Sequence, residues 1–381
     1  MNEPLKPTGA LPPPARVGMA LAEVDTPALL LDLDAFEYNL RKLNDSLHGM
    51  AVRVRPHAKS HKCPDIALRQ IEAGAVGVCC QKVSEAQALV RGGVTDVLIA
   101  NEVVGAPKLA RLAELAREAQ LGVCVDEPAM VDALAAAARQ AGATLDAYVE
   151  VNVGANRCGV EPGAPAIAIA QAIARARGLR FAGIHAYHGG AQHLREPAQR
   201  KAAIAQAVDK VSTTLALLDK AGLSAEIVTG AGTGTYLHEA GSQVYNEIQP
   251  GSYVFMDADY SRNLGDDGQP VHEFRQSLFI LATVMSHPVP QRAVVDVGLK
   301  AHSVDSGMPG VVDVAGATYT KASDEHGMIQ LDGPATLRLG DKIRLVPGHC
   351  DPTVNLYDWI VCYRGERVEA IWPVAARGAF Y

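Results

Sequence analysis

The sequence predicts an α/β protein: a (β/α)8 TIM-type barrel followed by a C-terminal all-β domain. Between residues 52 and 250, short apolar, β-branched runs alternate with Ala/Leu/Arg/Glu-rich segments of helical spacing. Eight such runs occur, the number that a closed parallel barrel requires. Parallel strands need crossover helices, and closure removes the sheet edges. Beyond about residue 265 the helical segments give way to strand-like runs separated by Gly, Pro and Asp turns. An open doubly wound sheet is the competing architecture, which periodicity alone does not separate from a barrel.

The elements follow in order. The first eighteen residues are Pro-rich, and residues 1–25 are expected to form an N-terminal extension packed on the C-terminal domain. The barrel domain is expected over 26–265. It opens with the strand-like TPALLLD, then a helix with Asp34 and Glu37 as its capping box and Phe36, Leu40, Leu43 and Leu47 on its apolar face. The eight runs are 52–58, 76–80, 96–100, 121–125, 146–152, 181–187, 226–230 and 246–250. The polar stretch Ser261 to Pro270 marks a boundary, and the β domain over 266–381 carries runs at 277–286, 293–298, 343–346, 358–363 and 367–372.

Composition narrows the function. The chain has 381 residues, 48% of them hydrophobic, with 35 Lys+Arg against 42 Asp+Glu and a net charge of −7. This excludes a disordered chain and argues against nucleic acid or an anionic membrane as partner, so a small-molecule substrate is expected. No apolar stretch reaches the roughly 18 uncharged residues of a membrane span, and the start lacks a hydrophobic signal core, so the expected location is cytoplasmic. The seven cysteines, an odd number without CxxC pairs, read as reduced thiols.

In a barrel the loops after the strands build the active face. The runs end in His57-Ala58-Lys59, Gln81-Lys82, Asn152 with Asn156-Arg157, Tyr187-His188-Gly189-Gly190 with His193 beyond, Gly230 to Thr235, and Gly251-Ser252. The small residues after the seventh and eighth runs match the usual barrel phosphate site, where backbone N–H groups approach an anion. Lys59 closes the first run. Desolvation and the neighbouring His57 and Arg55 favour a neutral amine there, as a Schiff base needs. A Schiff-base lysine beside a phosphate site points to pyridoxal phosphate.

The ordered motifs DTPALLLDLDAF, RPHAKSHK, GVCCQKVSEA, VNVGANRCGV, GIHAYHGG, GAGTGT, QPGSYVFMDADY, SDEHG and PGHCDPTVNLYDW span nearly the whole chain. Through them the chain resembles the fold-type III pyridoxal-phosphate enzymes, and within these the D-threonine aldolase and 3-hydroxy-D-aspartate aldolase group. The resemblance implies an alanine racemase-like barrel with a β domain, a homodimer, and metal-assisted cleavage of β-hydroxy-D-amino acids to glycine and an aldehyde. It implies that Lys59 holds pyridoxal 5'-phosphate, that Gln81 and Arg157 flank the ring, and that Thr233, Gly234, Gly251 and Ser252 take the phosphate with Tyr187 and Tyr260 close by. It also implies that His193 is the base for the substrate's β-hydroxyl proton.

PGHCDPT is readable without the family. His349 and Asp351 stand at i and i+2, so on an extended segment they share a face while Cys350 points away. One imidazole and one carboxylate make a partial site for a hard divalent ion, Mn2+ or Mg2+, with positions open for water and substrate. A His-x-Cys pair would favour Zn2+ instead. By resemblance the pair is the aldolases' His-x-Asp and not the dehydratases' His-x-Cys, which puts aldol cleavage ahead of a D-serine or 3-hydroxyaspartate dehydratase, and the β domain argues against a mere pyridoxal-phosphate carrier. His57, His61, His185 and His188 read as site-shaping or as satisfied buried groups. Asp257 and Asp259 read as alternation on one strand face, and Asp324 to Gly327 match the family without a derivable role.

Overall fold

The computed structural model describes residues 12–312 and 314–381. The first elements are β1 (Ala28–Asp32) and α1 (Leu33–Ser46). The barrel strands are β2 (Arg53–Val54), β3 (Val78–Cys80), β4 (Asp96–Glu102), β5 (Gln120–Val125), β6 (Leu145–Glu150), β7 (Leu179–Ala186), β8 (Ile227–Gly230) and β9 (Glu247–Ile248). Between them run α2 (Pro64–Glu72), α3 (Val83–Arg91), α4 (Ala106–Leu115), α5 (Pro128–Ala141), α6 (Ala164–Arg175), α7 (Pro197–Lys220) and α8 (Tyr236–Ala240). The remaining strands are β10 (Leu278–Val289), β11 (Arg292–Val295), β12 (Gly310–Val312), β13 (Ala317–Ala322), β14 (Gly327–Leu331), β15 (Lys342–Val346), β16 (Trp359–Arg364) and β17 (Arg367–Pro373), with α9 (Cys350–Val354) between β15 and β16.

Two compact units result. The barrel unit holds Asn39–Val254, Tyr260–Phe274 and Gly378–Tyr381; the sheet unit holds the described residues up to Tyr38, Phe255–Asp259 and Arg275–Arg377. In the barrel unit the eight strands are parallel, in the order β2-β9-β8-β7-β6-β5-β4-β3. The two ends meet through a parallel bridge of His57 with Cys79. There the Cys79 N–H donates to the Pro56 carbonyl and the Val76 N–H to the Val54 carbonyl, both at 2.9 Å. All eight strands fall on the runs that the sequence marks. Alternate side chains fill two layers: Cys79, Leu98, Ala100, Cys124, Tyr148 and Ala182 pack as one cluster, and a larger apolar cluster joins Val97, Val123 and Ile184 to helix residues such as Leu112, Leu134 and Ile173.

The sheet unit departs from the expected boundaries. TPALLLD is not a barrel strand: β1 pairs antiparallel with β10 and parallel with β16, at the centre of a nine-stranded sheet. A short run buried on both faces reads alike in a barrel and in a central sheet strand, so its partner was not legible. The barrel unit accordingly begins at Asn39 instead of 26, and Phe255–Asp259 belongs with the sheet although it precedes the expected boundary. The helix cap also moves by two residues, because the Asp32 carboxylate, and not Asp34, accepts the Ala35 N–H at 3.1 Å. Asp34 and Glu37 instead bind Arg364 of β16. Ala15, Leu21 and Val24 pack with Leu30, Phe279 and Val361, and the Gly18 N–H donates to the Val368 carbonyl at 2.8 Å. The rest of the expected extension, residues 1–11, lies outside the described residues.

No helix among the described residues is long and apolar enough to cross a membrane. The seven cysteines are all free.

Gly183 lets β7 and β8 approach: a Cβ there would lie 1.8 Å from the Ile227 carbonyl oxygen, which is ladder backbone and cannot move aside. Gly183→Ala is therefore expected to cost about 3 kcal/mol, read as a lower urea midpoint. An unchanged midpoint would mean that β7 and β8 are not held at this spacing.

Candidate active site

The strand ends of the barrel unit gather the residues singled out above. Lys59 sits half-buried in a 3-10 turn, Ala58–Ser60, directly after β2. That turn is tied to the loop after β9 by the His57 N–H, which donates to the Pro250 carbonyl at 3.1 Å. Gly251 lies so close that a Cβ would stand 3.1 Å from the His57 carbonyl oxygen, and only a residue without one leaves this approach open. Gln81, after β3, places its amide nitrogen 2.8 Å from His57 Nε2 and 3.1 Å from the Ala100 carbonyl oxygen. Burial, then the charge of Lys59, holds the His57 imidazole well below its usual pKa, so the ring is neutral. Arg55 was expected to act on Lys59 as a neighbouring charge. Its guanidinium is instead matched by Glu247 at 3.0 Å and Asp96 at 2.7 Å, so its charge is largely spent in that pair of bonds.

Across the mouth the exposed Arg157 guanidinium stands 5.8 Å from the Tyr187 ring centroid. The loops after β6 and β7 touch at Gly154, where a Cβ would meet the His188 ring at 2.6 Å. His193 ends the 3-10 turn Gly189–His193 and lies exposed, its ring centroid 5.3 Å from that of the buried Tyr260. Arg200 of α7 holds the following chain by donating to the carbonyls of Leu194 and Arg195 at 2.7 and 2.8 Å. Asn156 and Ala231, in the loops after β6 and β8, are non-glycine residues at positive φ, the strain that clusters at working sites.

The expected phosphate loop is braced from behind. Thr233 Oγ1 accepts the Tyr253 N–H at 3.1 Å, which joins this loop to the buried Ser252. Gln192, which the sequence reading missed, accepts the Gly234 N–H at 3.0 Å and donates to Thr235 Oγ1 at 2.8 Å. Thr235 in turn donates to Glu239 at 2.8 Å. Burial pushes the Glu239 carboxyl up to about 8, so it is mostly protonated at neutral pH. Nothing in TYLHEAG distinguishes it from an ordinary surface glutamate.

Inside the barrel the buried Cys124, Glu150 and His185 are the one group of three metal-capable side chains found among the described residues. Glu150 engages His185 Nδ1 directly, while Gln249, oriented by its 2.8 Å bond to Thr229, accepts from His185 Nε2 at 3.1 Å. Burial alone would lower the His185 pKa, yet the Glu150 charge and these hydrogen bonds raise it. Both ring nitrogens of His185 are thus engaged, and the sequence had placed the metal elsewhere.

The expected metal pair lies in the sheet unit. The extended phase holds only as far as His349 (φ −145°, ψ 125°), because α9 begins at Cys350 and puts Asp351 in its first turn. Strand alternation therefore does not set the geometry. Cys350 nevertheless points inward as expected: it is fully buried, and its N–H donates to Asp257 at 3.0 Å. His349 Nδ1 lies 2.7 Å from the Asp305 carboxylate. Burial opposes a charge on His349, but Asp351 first and then Asp305 raise its pKa. Asp257 caps this turn, and the Asp259 N–H donates to the Gly348 carbonyl at 3.2 Å. Ser323 to Gly327 form the β13–β14 turn, with the Ser323 N–H on the His326 carbonyl at 2.9 Å.

A closed parallel barrel with a lysine after its first strand and small-residue loops after its last two defines the alanine racemase-like class. The family model "Alanine racemase, N-terminal domain" matches residues 31–259, and "Putative serine dehydratase domain" matches 277–363. The chain is 48% identical over 372 residues to 3-hydroxy-D-aspartate aldolase of Paracoccus denitrificans, covering 97% of this chain and 96% of the relative. It is likewise 48% identical over 370 residues to D-threonine aldolase of an Arthrobacter species, covering 97% of each. The crystal structure of D-threonine aldolase from Filomicrobium marinum superposes with a TM-score of 0.93 at 52% identity, over 97% of this chain and 100% of that one. The chain belongs to the D-threonine aldolase and 3-hydroxy-D-aspartate aldolase group of the alanine racemase-like family.

The buried Glu239 supplies a pH test of the phosphate-loop brace. Its pKa is raised on folding, from about 4.5 to about 8, so its stabilising contribution is full below about pH 4.5 and is lost as the pH rises through about 8. Glu239→Gln keeps a neutral side chain, so the fall in urea midpoint between pH 5 and 8.5 should be smaller in the variant than in the parent. Identical falls would show that this carboxyl is not held protonated.

Proposed function

We propose that this chain is a pyridoxal-phosphate, metal-assisted aldolase that cleaves the Cα–Cβ bond of β-hydroxy-D-amino acids, giving glycine and an aldehyde. The observation that carries the reading is Lys59 in a turn packed against Gly251, with the Thr233 loop beside it: an amine and an anion cradle on one rim of one barrel. The residues fit the cofactor, since Lys59 would hold its aldehyde carbon, Gln81 and Arg157 would flank the ring, and Thr233, Gly234, Gly251 and Ser252 would take the phosphate with Tyr187 and Tyr260 beside them. Bound there, pyridoxal phosphate supplies an electron sink for the substrate's α-carbon.

The chain's own groups do the rest. The neutral His57 presents no competing charge beside the Lys59 amine. His193 takes the β-hydroxyl proton, directly or through a water, and its exposed position on the loop after β7 gives it access to substrate. His349 and Asp351 would hold a divalent ion, Mn2+ or Mg2+, which lowers the pKa of that hydroxyl. The donor set fits a hard ion because Cys350 is buried with its thiol on Asp351 at 3.3 Å, leaving imidazole and carboxylate as the pair. The same pair favours aldol cleavage over dehydration, the second reading. Free thiols at all seven cysteines support a reducing, cytoplasmic setting, and a homodimer is proposed from the resemblance.

D-threonine should yield glycine and acetaldehyde, and 3-hydroxy-D-aspartate glycine and glyoxylate, with L-isomers untouched and the relative rates deciding the preferred substrate. Chelation should abolish cleavage while the cofactor's visible absorbance stays, and Mn2+ should restore it. A main product of 2-oxobutanoate with ammonia would replace this reading by the dehydratase one, and full activity without metal would remove the metal step.

Lys59→Ala should lose both turnover and borohydride-fixable cofactor, whereas His193→Ala should lose cleavage and keep bound cofactor. Recovery of the fixed cofactor on a peptide bearing Lys82 or Lys300 would overturn the assignment of Lys59.

A further inference from the structure

We propose that Asp305 is a positioning residue for His349: its carboxylate accepts a hydrogen bond from Nδ1–H, fixes the ring's tautomer and orientation, and makes Nε2 the coordinating nitrogen. This deepens the metal reading of His349 and Asp351 given above and rests on it. A neutral imidazole carries one N–H, so a ring that donates from Nδ1 presents its lone pair at Nε2. Carboxylates in this role also raise the basicity of the ligating nitrogen.

The geometry is built for holding. Asp305 Oδ2 lies 2.7 Å from His349 Nδ1, while its other oxygen accepts from Ser303 Oγ at 2.6 Å, which fixes the carboxylate's own rotation. The Ser303 N–H donates to Thr353 Oγ1 at 3.2 Å, and that hydroxyl donates to the His349 carbonyl at 2.8 Å. The hydrogen bonds thus form a ring, Asp305 to His349, through Thr353 and Ser303, back to Asp305. It binds the imidazole at its nitrogen and its backbone to the same short loop. Ser306 Oγ, at 3.5 Å from Nδ1, is too distant to replace the carboxylate. The backbone at Cys350 is held separately by Asp257. Loss of Asp305 should therefore free the ring without undoing the turn.

Asp305 as a direct ligand is the alternative. Two cis donors each about 2.1 Å from one octahedral ion sit roughly 3.0 Å apart. The 2.7 Å contact is a hydrogen-bond distance, shorter than that.

The test is Mn2+ binding to full-length, cofactor-loaded, metal-stripped protein, followed by calorimetry and by the electron paramagnetic resonance of free Mn2+. His349→Ala should abolish binding. Asp305→Leu should weaken it about 10- to 100-fold, whereas Asp305→Asn, whose amide oxygen still accepts from Nδ1–H, should recover most of that loss. The cofactor's visible absorbance should be unchanged in all three. Parental affinity in Asp305→Leu would overturn the positioning role. Loss in Asp305→Asn as complete as in His349→Ala would overturn it as well, by marking Asp305 as a ligand. Parental affinity in His349→Ala would instead defeat the metal reading itself, so the two failures are distinguishable.

Discussion

The backbone between Arg53 and His57 is hydrogen-bonded on both sides, and the barrel unit depends on that double bonding. On one side the N–H groups of Arg53, Arg55 and His57 donate to Asn246, Ile248 and Pro250; on the other the carbonyls of Val54 and Pro56 accept from Val76 and Cys79. An eight-stranded parallel sheet with either row unmade would expose two polar edges to the interior or to solvent. Closing it fixes where β2 ends, and Lys59 is two residues past the last bond. The same bonds bring the loop after β9 against the lysine turn, so Lys59 and the Gly251-Ser252 loop are neighbours because the sheet closes, with no separate device for bringing them together.

Closure also places charge inside. The buried Arg55 and Glu247 join the half-buried Asp96 on the side of the barrel facing away from the strand-end loops, and the buried Glu150 with His185 forms another group nearer to them. Removing such charges from water is costly, and replacement by apolar residues of similar volume is often neutral or stabilising. Their presence in a barrel otherwise filled by small and apolar residues is better explained by what they fix. Arg55 ties β2, β4 and β9 in one register across the closing strand. His185, held between Glu150 and Gln249, fixes the floor beneath the loops, and after burial and Lys59 it too lowers the His57 pKa.

The fold was legible because a barrel repeats its pattern: eight β-branched runs with helices between leave few alternatives, and all eight were read correctly. TPALLLD was placed within the barrel domain because burial on both faces does not tell which sheet a strand joins. The β12, β13 and β14 segments were not singled out, being short, half-exposed and weakly alternating. Among the candidate site residues, those at run ends were singled out by position. Gln192, Glu239 and Asp305 were not, since each acts through a bond to a residue distant in sequence or on a loop without periodicity. Their residue types are as common on surfaces as in sites, and only the closed fold separates the two cases. PGHCDPT was read as extended throughout because nothing in it forbids a strand. The proline after Asp351 is compatible with the first turn of a helix, and that reading carries the shape found.

That local helix has a consequence for the metal chemistry. In a strand, His349 and Cys350 would diverge by alternation, and a slip of one residue would exchange carboxylate for thiolate. In the observed turn the exchange is blocked by more than phase. The Cys350 N–H is committed to the buried Asp257, and its side chain is packed away with a thiol that donates to Asp351. Turning that sulfur outward would break its hydrogen bond to the half-buried Asp351 carboxylate and bring a fully buried side chain to the surface. In the proposed metal site the hard donors would therefore stay in register against a soft one that is adjacent in the chain, and a preference for an oxygen-loving ion would follow from how the turn folds as much as from the residues it carries.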